Sequence, residues 1–289
     1  NTKLITDIIF GKMSADEKHL ITSKKFEIDE VFFKEININI KKIKIGFSKF
    51  IKIDIDENLK NIKIIKEKDN DFLTFFDSNL KDINIIFEDQ SLKLESDVQK
   101  DRSNEYNITG CLNIYNSVFD NTNLNVINSD CEDALNIINS KGEINSINIY
   151  DSKSDAFDSD FSDLKINNLF INYSMNDCAD FSLGRYQINK AILTNCGDKG
   201  FSVGENSDFL ADELIVSKSG IGLASKDSSK TYVKKANINN VKNCLSVYNK
   251  KQEFNGSILE VKNLTCENYN EKFQVDNKSI LKVNNDVIN

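Results

Sequence analysis

The heptapeptides "DALNIIN" (133–139), "DAFDSDF" (155–161) and "DCADFSL" (177–183) start 22 residues apart and share one pattern. An aspartate comes first, a small residue second and an apolar residue third. The pattern extends in both directions through "GCLNIYN" (110–116), "KGFSVGE" (199–205), "IGLASKD" (221–227) and "NCLSVYN" (243–249). The second column reads Cys111, Ala134, Ala156, Cys178, Gly200, Gly222 and Cys244. The third reads Leu112, Leu135, Phe157, Ala179, Phe201, Leu223 and Leu245. A fixed step kept through seven segments is the mark of stacked repeats.

Each repeat holds a second apolar stretch, as in "INSINI" (144–149), "INNLFI" (166–171) and "INKAIL" (188–193). Alternating β-branched residues bounded by Asn, Ser, Asp and Gly read as strands. Two or three short strands per 22 residues is the arithmetic of an all-β fold, a right-handed parallel β-helix. Each coil of that solenoid stacks ~4.8 Å above the last. Leucine-rich repeats are the rival, because "INKAILTNC" (188–196) mimics their motif. The following "GDKGFSVGENS" (197–207) is strand and turn rather than helix, which favours the β-helix.

The ends should differ from the middle. Residues 1–34 are expected to cap the solenoid, with "SADE" (14–17) as a capping box for a short helix. Residues 35–268 form the β-helix and 269–289 a last coil or cap. Within that span, 36–55 are expected as early, less regular coils, and 97–107 is the most loop-like stretch. Caps prevent an open terminal coil from pairing with other chains.

Composition narrows the function. The chain has 289 residues, 39% hydrophobic and 28% charged, as in ordinary folded domains. No apolar run approaches the ~18 residues of a membrane span, so no membrane insertion is expected. The first residues, "NTKLITDIIFGKM", are too short and too poorly flanked to read as a signal peptide, so any such peptide is expected to have been removed. Abundant Asn, Ile and Lys fit AT-rich codon usage, so Asn content by itself says nothing about function. The net charge is −8, and residues 130–183 carry eleven acids against three bases. Such a local field argues against nucleic acid and favours cations or sugar hydroxyls. The six cysteines lack CxxC spacing and are few for the length, so they are read as buried free thiols.

The run from "CEDALNIINS" (131–140) through "KSDAFDSDFSDLKI" (153–166) and "CGDKGFSVGENS" (196–207) to "IGLASKDSS" (221–229) resembles bacterial right-handed parallel β-helix repeat proteins. Some of these accompany spore-coat-kinase-like (CotH-like) domains. The resemblance covers about residues 108–265 and implies a secreted or cell-surface bacterial protein without fixing a reaction. A more distant likeness is to polygalacturonase-type glycoside hydrolases, whose NTD, DD, GHG and RIK motifs lie on successive coils. "SDAFD" is similar to the first, with Asp155 as its acid. "NDCAD" is similar to the second, with Asn176 and Asp177 in the paired positions. Lys199 in "DKGFSVG" stands where that family has histidine, and "IGLASK" lacks the basic pair, with Lys226 displaced. Asn176 is the gravest departure, because an amide cannot serve as proton donor.

If the coils stack in register, Asp133, Asp155 and Asp177 form a ladder ending at Lys199. Asn136, Asp158 and Asp180 form a second. Neighbouring carboxylates would repel by ~3.5 kcal/mol at an effective dielectric near 20. Three readings follow. Asp133, Asp155 and Asp177 are candidate calcium ligands, and Lys199 a candidate base of a lyase or epimerase. Asp155, Asp158, Asp177 and Asp180 are candidate catalytic carboxylates of a hydrolase. Or the aspartates form the corners of the coils. Arg185 and Tyr186 are candidate substrate-binding residues, by gripping carboxylates and stacking on sugar rings. His19 reads as surface or packing, and "YNKKQEF" (248–254) as a solvated loop. The expected function is engagement of a polysaccharide or glycan through the acidic face, as lyase, epimerase or hydrolase. The alternative is a non-catalytic cell-surface binding or structural scaffold.

Overall fold

The computed structural model describes residues 31–288 except 39–40, 57, 59, 70, 92–102 and 104–106. His19, the "SADE" segment, most of the 1–34 cap and most of 97–107 lie outside the described residues. The chain enters through β1 (Val31–Ile38), β2 (Lys41–Ser48), β3 (Ile51–Asp56) and β4 (Asn61–Lys66), and then begins to coil. β5 (Leu73–Phe76), β6 (Asn79–Lys81) and β7 (Asn84–Asp89) make a first turn, one strand on each of three faces. We call these faces A, B and C in chain order.

Later coils repeat that order. β8 (Gly110–Tyr115), β10 (Asp133–Ile138), β12 (Asp155–Asp160) and β14 (Ala179–Ser182) stack in parallel on face A. β9 (Val118–Ser129), β11 (Lys141–Ser152) and β13 (Asp163–Ser174) bend through faces B and C. β15 (Arg185–Gly204), β16 (Asp208–Lys226) and β17 (Lys230–Tyr248) run through B and C and onto face A of the next coil. β18 (Ile258–Val261), β19 (Leu264–Val275), β20 (Ile280–Val283) and β21 (Asp286–Ile288) complete a parallel β-solenoid of about 9 turns. Its coils are about 22 residues apart, and no helix occurs among the described residues.

The ends are antiparallel where the middle is parallel. β1 pairs with β2, and β2 lies antiparallel on β5 of face A. β3 pairs antiparallel with β4, which continues face C through β7. Residues 36–55 are therefore hairpin strands rather than early coils. At the other end β21 turns back on β20. The expected boundary at 268 falls inside β19.

The repeat columns explain the core. Leu112, Leu135, Phe157, Ala179, Phe201, Leu223 and Leu245 are all fully buried and pair in register from coil to coil. Phe181 packs edge-on to Phe157 at 5.4 Å and tilted against Phe209 at 5.3 Å, the offset geometry that aromatic quadrupoles favour. The small column sits where face A turns against face C. A Cβ on Gly200 would lie 2.5 Å from Val216 Cγ1, and one on Gly222 2.6 Å from Ile238 Cγ2.

The corners account for much of the asparagine. Asn116, Asn139 and their neighbours turn face A into B with φ near 50°, and Asn128, Asn195, Asn240 and Asn268 turn C into A in the same region. Asn tolerates the left-handed conformation better than other side-chain-bearing residues. Asn116 Nδ2 donates to Asp77 Oδ1 at 2.6 Å, and Asn139 Nδ2 to Asn116 Oδ1 at 3.2 Å.

The cysteines overturn the free-thiol expectation. All six are bonded, as Cys111–Cys131, Cys178–Cys196 and Cys244–Cys266, with separations of 20, 18 and 22 residues. One turn of the solenoid brings the chain back almost to its starting point. A cysteine in the small corner column therefore meets a partner nearly a full coil further on.

Candidate functional site on face A

The strand "DAFDSD" (155–160) places Phe157 and Ser159 inside, both fully buried. Asp158 and Asp160 alternate with them and point outward, partly exposed, whereas Asp155 is buried. Pairing puts Asp133 beside Asp155, Asn136 beside Asp158, and Asp158 beside Asp180. The second outward column continues from Asp180 to Ser202. Both aspartate ladders therefore exist, and they differ in kind.

The first ladder is tied into the backbone. Asp155 Oδ1 accepts the Asp177 N–H at 2.8 Å and Asn176 Nδ2 at 2.8 Å. Asp177 Oδ1 accepts the Lys199 N–H at 3.0 Å, and Lys199 Nζ lies 3.2 and 3.3 Å from the two Asp177 oxygens. Lys199 also pairs with Asp198. Each carboxylate thus satisfies a backbone donor of the next coil, and the lysine ends the series. Burial opposes the charge on Lys199, yet Asp177 and Asp198 outweigh it and hold the ammonium above the usual lysine range. A lysine held so firmly protonated is a poor base for lyase or epimerase chemistry.

The second ladder is left open. Asp158 accepts no hydrogen bond and forms no ion pair among the described residues. Asn136 Nδ2 donates to Asp133 Oδ2 at 3.1 Å, but Asn136 Oδ1, Asp180 Oδ1 and Ser202 Oγ are buried without a partner. Lys226 reaches Asp180 Oδ2 at 3.5 Å by lying across Gly204, where a Cβ would stand 2.7 Å from Lys226 Cε.

Crowded carboxyls shift one another's protons. Burial, reinforced by the Asp177 charge, pushes Asp155 up to about 7. Burial with the charges of Glu205 and Asp180 brings Asp160 to about 6. Asp158 stands well above the usual carboxylate range through burial, then Asp133 and Asp160. Asp177 is also raised, because burial outweighs the attraction of Lys199.

No three carboxyls of this face bring one oxygen each within 4.8 Å of one another; the one such group among the described residues is Cys111, Asp130 and Cys131, whose cysteines are bonded together. Asp133, Asp155 and Asp177 therefore do not converge on one point, as ligands of a single calcium ion would.

Arg185 and Tyr186 lie elsewhere, on face B. Arg185 is exposed, pairs with Asp163, and lines an open groove of about 850 Å³ with Lys141, Lys165 and Leu210. Tyr186 corrects the expectation of a sugar-stacking ring. It is 2% exposed, packs 4.7 Å from Phe181, and its hydroxyl donates to the Ser159 and Ser182 carbonyls. Its column partners Leu164 and Phe209 are core residues, so the register makes it one too. The "YNKKQEF" loop is anchored rather than free. Asp227 Oδ1 accepts the Lys250 and Lys251 N–H groups at 2.6 and 2.7 Å, and Lys251 pairs with Glu205 at the edge of face A.

Asp160, Ser202 and Phe161 also belong to this face. Period-two alternation in "DAFDSDF" already puts Asp158 and Asp160 on one side. Phe161, at the A-to-B corner, is 57% exposed with φ 52°, where the preceding coils carry Asn116 and Asn139. No protein-family model, curated protein or solved structure matches the chain.

Proposed function

We propose that the protein engages a polysaccharide across face A, through the outward column Asn136, Asp158, Asp180 and Ser202. The observation that carries this reading is Asp158, a carboxyl of that column that accepts no hydrogen bond and forms no ion pair among the described residues, with Asn136 and Asp180 beside it in register. Native proteins rarely leave buried polar groups without partners, and sugar hydroxyls are donors and acceptors of the right kind. The protonated lysine disfavours lyase and epimerase chemistry, which leaves hydrolysis as the reaction to test. Asp158 and Asp180 are neighbours in register, ~5 Å apart by strand spacing, which is the separation of a retaining pair. Asp158, raised above the carboxylate range, is the proton donor, and Asp180, which pairs with Lys226, is its neighbour across the bond to be cleaved.

A non-catalytic recognition scaffold is the second reading, and the first ladder favours it, because Asp155 and Asp177 serve backbone donors. Three disulfides suit an oxidising compartment, which supports placement outside the cell, as the resemblance to exported β-helix repeat proteins implies. Binding of a glycan panel, with release of reducing ends, separates the readings. Turnover lost by at least about a hundredfold in Asp158→Asn with the fold intact would establish the hydrolase. Binding without turnover would establish the scaffold, and no binding to any glycan would refute both. Affinity that rises when calcium is added would assign a bridging ion to these carboxylates.

A further inference from the structure

The outward column that opens face B changes the sign of its charge at every coil. Lys141, Asp163, Arg185, Asp208 and Lys230 pair in register, one above the next. Val118 precedes them in the same column, and Ile258 and Ile280 follow. All are exposed, and the five charged members line the open groove of this face. Arg185 pairs with Asp163, whereas Lys141, Asp208 and Lys230 form no ion pair among the described residues. The apolar ends stand in solvent, with Val118 36%, Ile258 37% and Ile280 43% exposed.

Such a ladder is complementary to its own reversed copy. The coils repeat every ~4.8 Å, whereas side chains on one side of an extended peptide recur at ~7 Å and on a helix at ~6 Å. A rigid partner that matches these charges one by one is therefore another stack of coils. A second copy laid face to face about a two-fold axis parallel to the strands presents the coils in reverse order. An axis through a coil sets charge against like charge, and an axis midway between coils sets opposite signs together. Midway between Arg185 and Asp208, Arg185 of one copy faces Asp208 of the other, and Asp163 faces Lys230, each twice by symmetry. The same axis brings Val118 onto Ile280 and lays the stem of Lys141 along Ile258. Midway between Asp163 and Arg185 the charges also match, but Val118 would meet Lys230. The apolar ends therefore select the first register. In the adjoining column that register sets Asp120 against Lys282, and its one like pair, Glu143 against Glu260, has Lys165 bonded to Glu143.

We propose that face B joins two copies of this chain about that axis, as an isologous dimer held by reciprocal ion pairs. The contact strip from Val118 to Ile280 is ~34 Å long and two columns wide. That is narrow for a permanent interface, so association is reversible and sensitive to salt.

The test is sedimentation velocity of the whole chain across the micromolar range, at low and at high salt. Dimers are expected at low salt and should weaken at least about tenfold at high salt. Arg185→Glu and Asp208→Lys should each remove the dimer, because each sets like charges together. An equal mixture of the two variants should restore it, since each supplies the sign that the other lacks. A structural role of the ladder within one chain predicts no such recovery. Circular dichroism melts establish that each variant is folded, and if either is not, the salt series on the unaltered chain decides the matter. A monomer under all conditions would overturn the proposal. So would a dimer that salt or both charge reversals leave intact, because its contact would lie on another face. Loss in both variants without recovery in the mixture would overturn the pairing of Arg185 with Asp208. A chain that stays monomeric but loses glycan binding in Arg185→Glu would give this face to the glycan instead.

Discussion

Asp155 shows how a single side chain can be structural and costly at once. Its carboxyl holds two donors of the next coil, yet burial and Asp177 move its proton affinity from the ordinary 3.8 to about 7. An unfolded aspartate ionises near pH 4, so between roughly 4 and 7 the folded chain keeps a proton that the unfolded chain has lost. Stability from this group must therefore fall as pH rises through that window, and stay at the lower level above it. Asp155→Asn keeps the carbonyl acceptor and removes the charge. It should melt higher than wild type at pH 8, by up to ~4 kcal/mol of stability, with the difference gone near pH 4. Thermal melts across that range check the sign. A variant that melts lower at pH 8 would show that the charge itself holds the ladder. The aspartates were legible from the 22-residue step alone. Their different duties were not, since only the hydrogen bonds separate Asp155, tied to the Asp177 amide, from Asp158, which has no such tie among the described residues.

Strands and corners are where the repeat both informs and misleads. The apolar column from Leu112 to Leu245 could be read directly, because a parallel stack buries every member in the same way. Tyr186 looks like a surface residue beside Arg185, but its column places it above Leu164 in the core. In a strand, adjacent residues face opposite ways, and the column, not the neighbour, sets burial. The antiparallel hairpins at residues 31–66 share the alternation of a coil, so periodicity cannot distinguish them. Corner strain yields an expectation at this scale. Phe161→Asn restores the residue type of Asn116 and Asn139 and relieves a left-handed phenylalanine. It should raise stability by about 1 kcal/mol, read as a higher denaturant midpoint at unchanged slope. Loss of stability would mean that Phe161 contributes more packing than its exposure suggests.

The whole molecule is a row of coils in which each touches only its neighbours, so stability is nearly a sum of local interfaces. Its three disulfides each close about one turn, and loops of that size stabilise by about 3 kcal/mol apiece in the chain-entropy account. Reduction should lower the melting temperature markedly. Thiol titration of the denatured, unreduced chain should find no free sulfhydryl, and six reactive thiols there would remove the disulfides from the fold. Their pairing was hidden in the sequence because only Cys111, Cys178 and Cys244 lie in the repeat column. Cys131, Cys196 and Cys266 sit at the other side of the corner, out of step.

Those same links give the protein a distinct response to pulling. A solenoid drawn out from its two ends pays out thread coil by coil, but the three stitched turns can open without lengthening. About 60 residues stay looped behind the sulfurs, withholding ~200 Å of contour until the bonds are reduced. Because the stitches fall near residues 111–131, 178–196 and 244–266, the tether stays short along its entire length. If the chain hangs between a cell and what it grips, redox conditions set its reach.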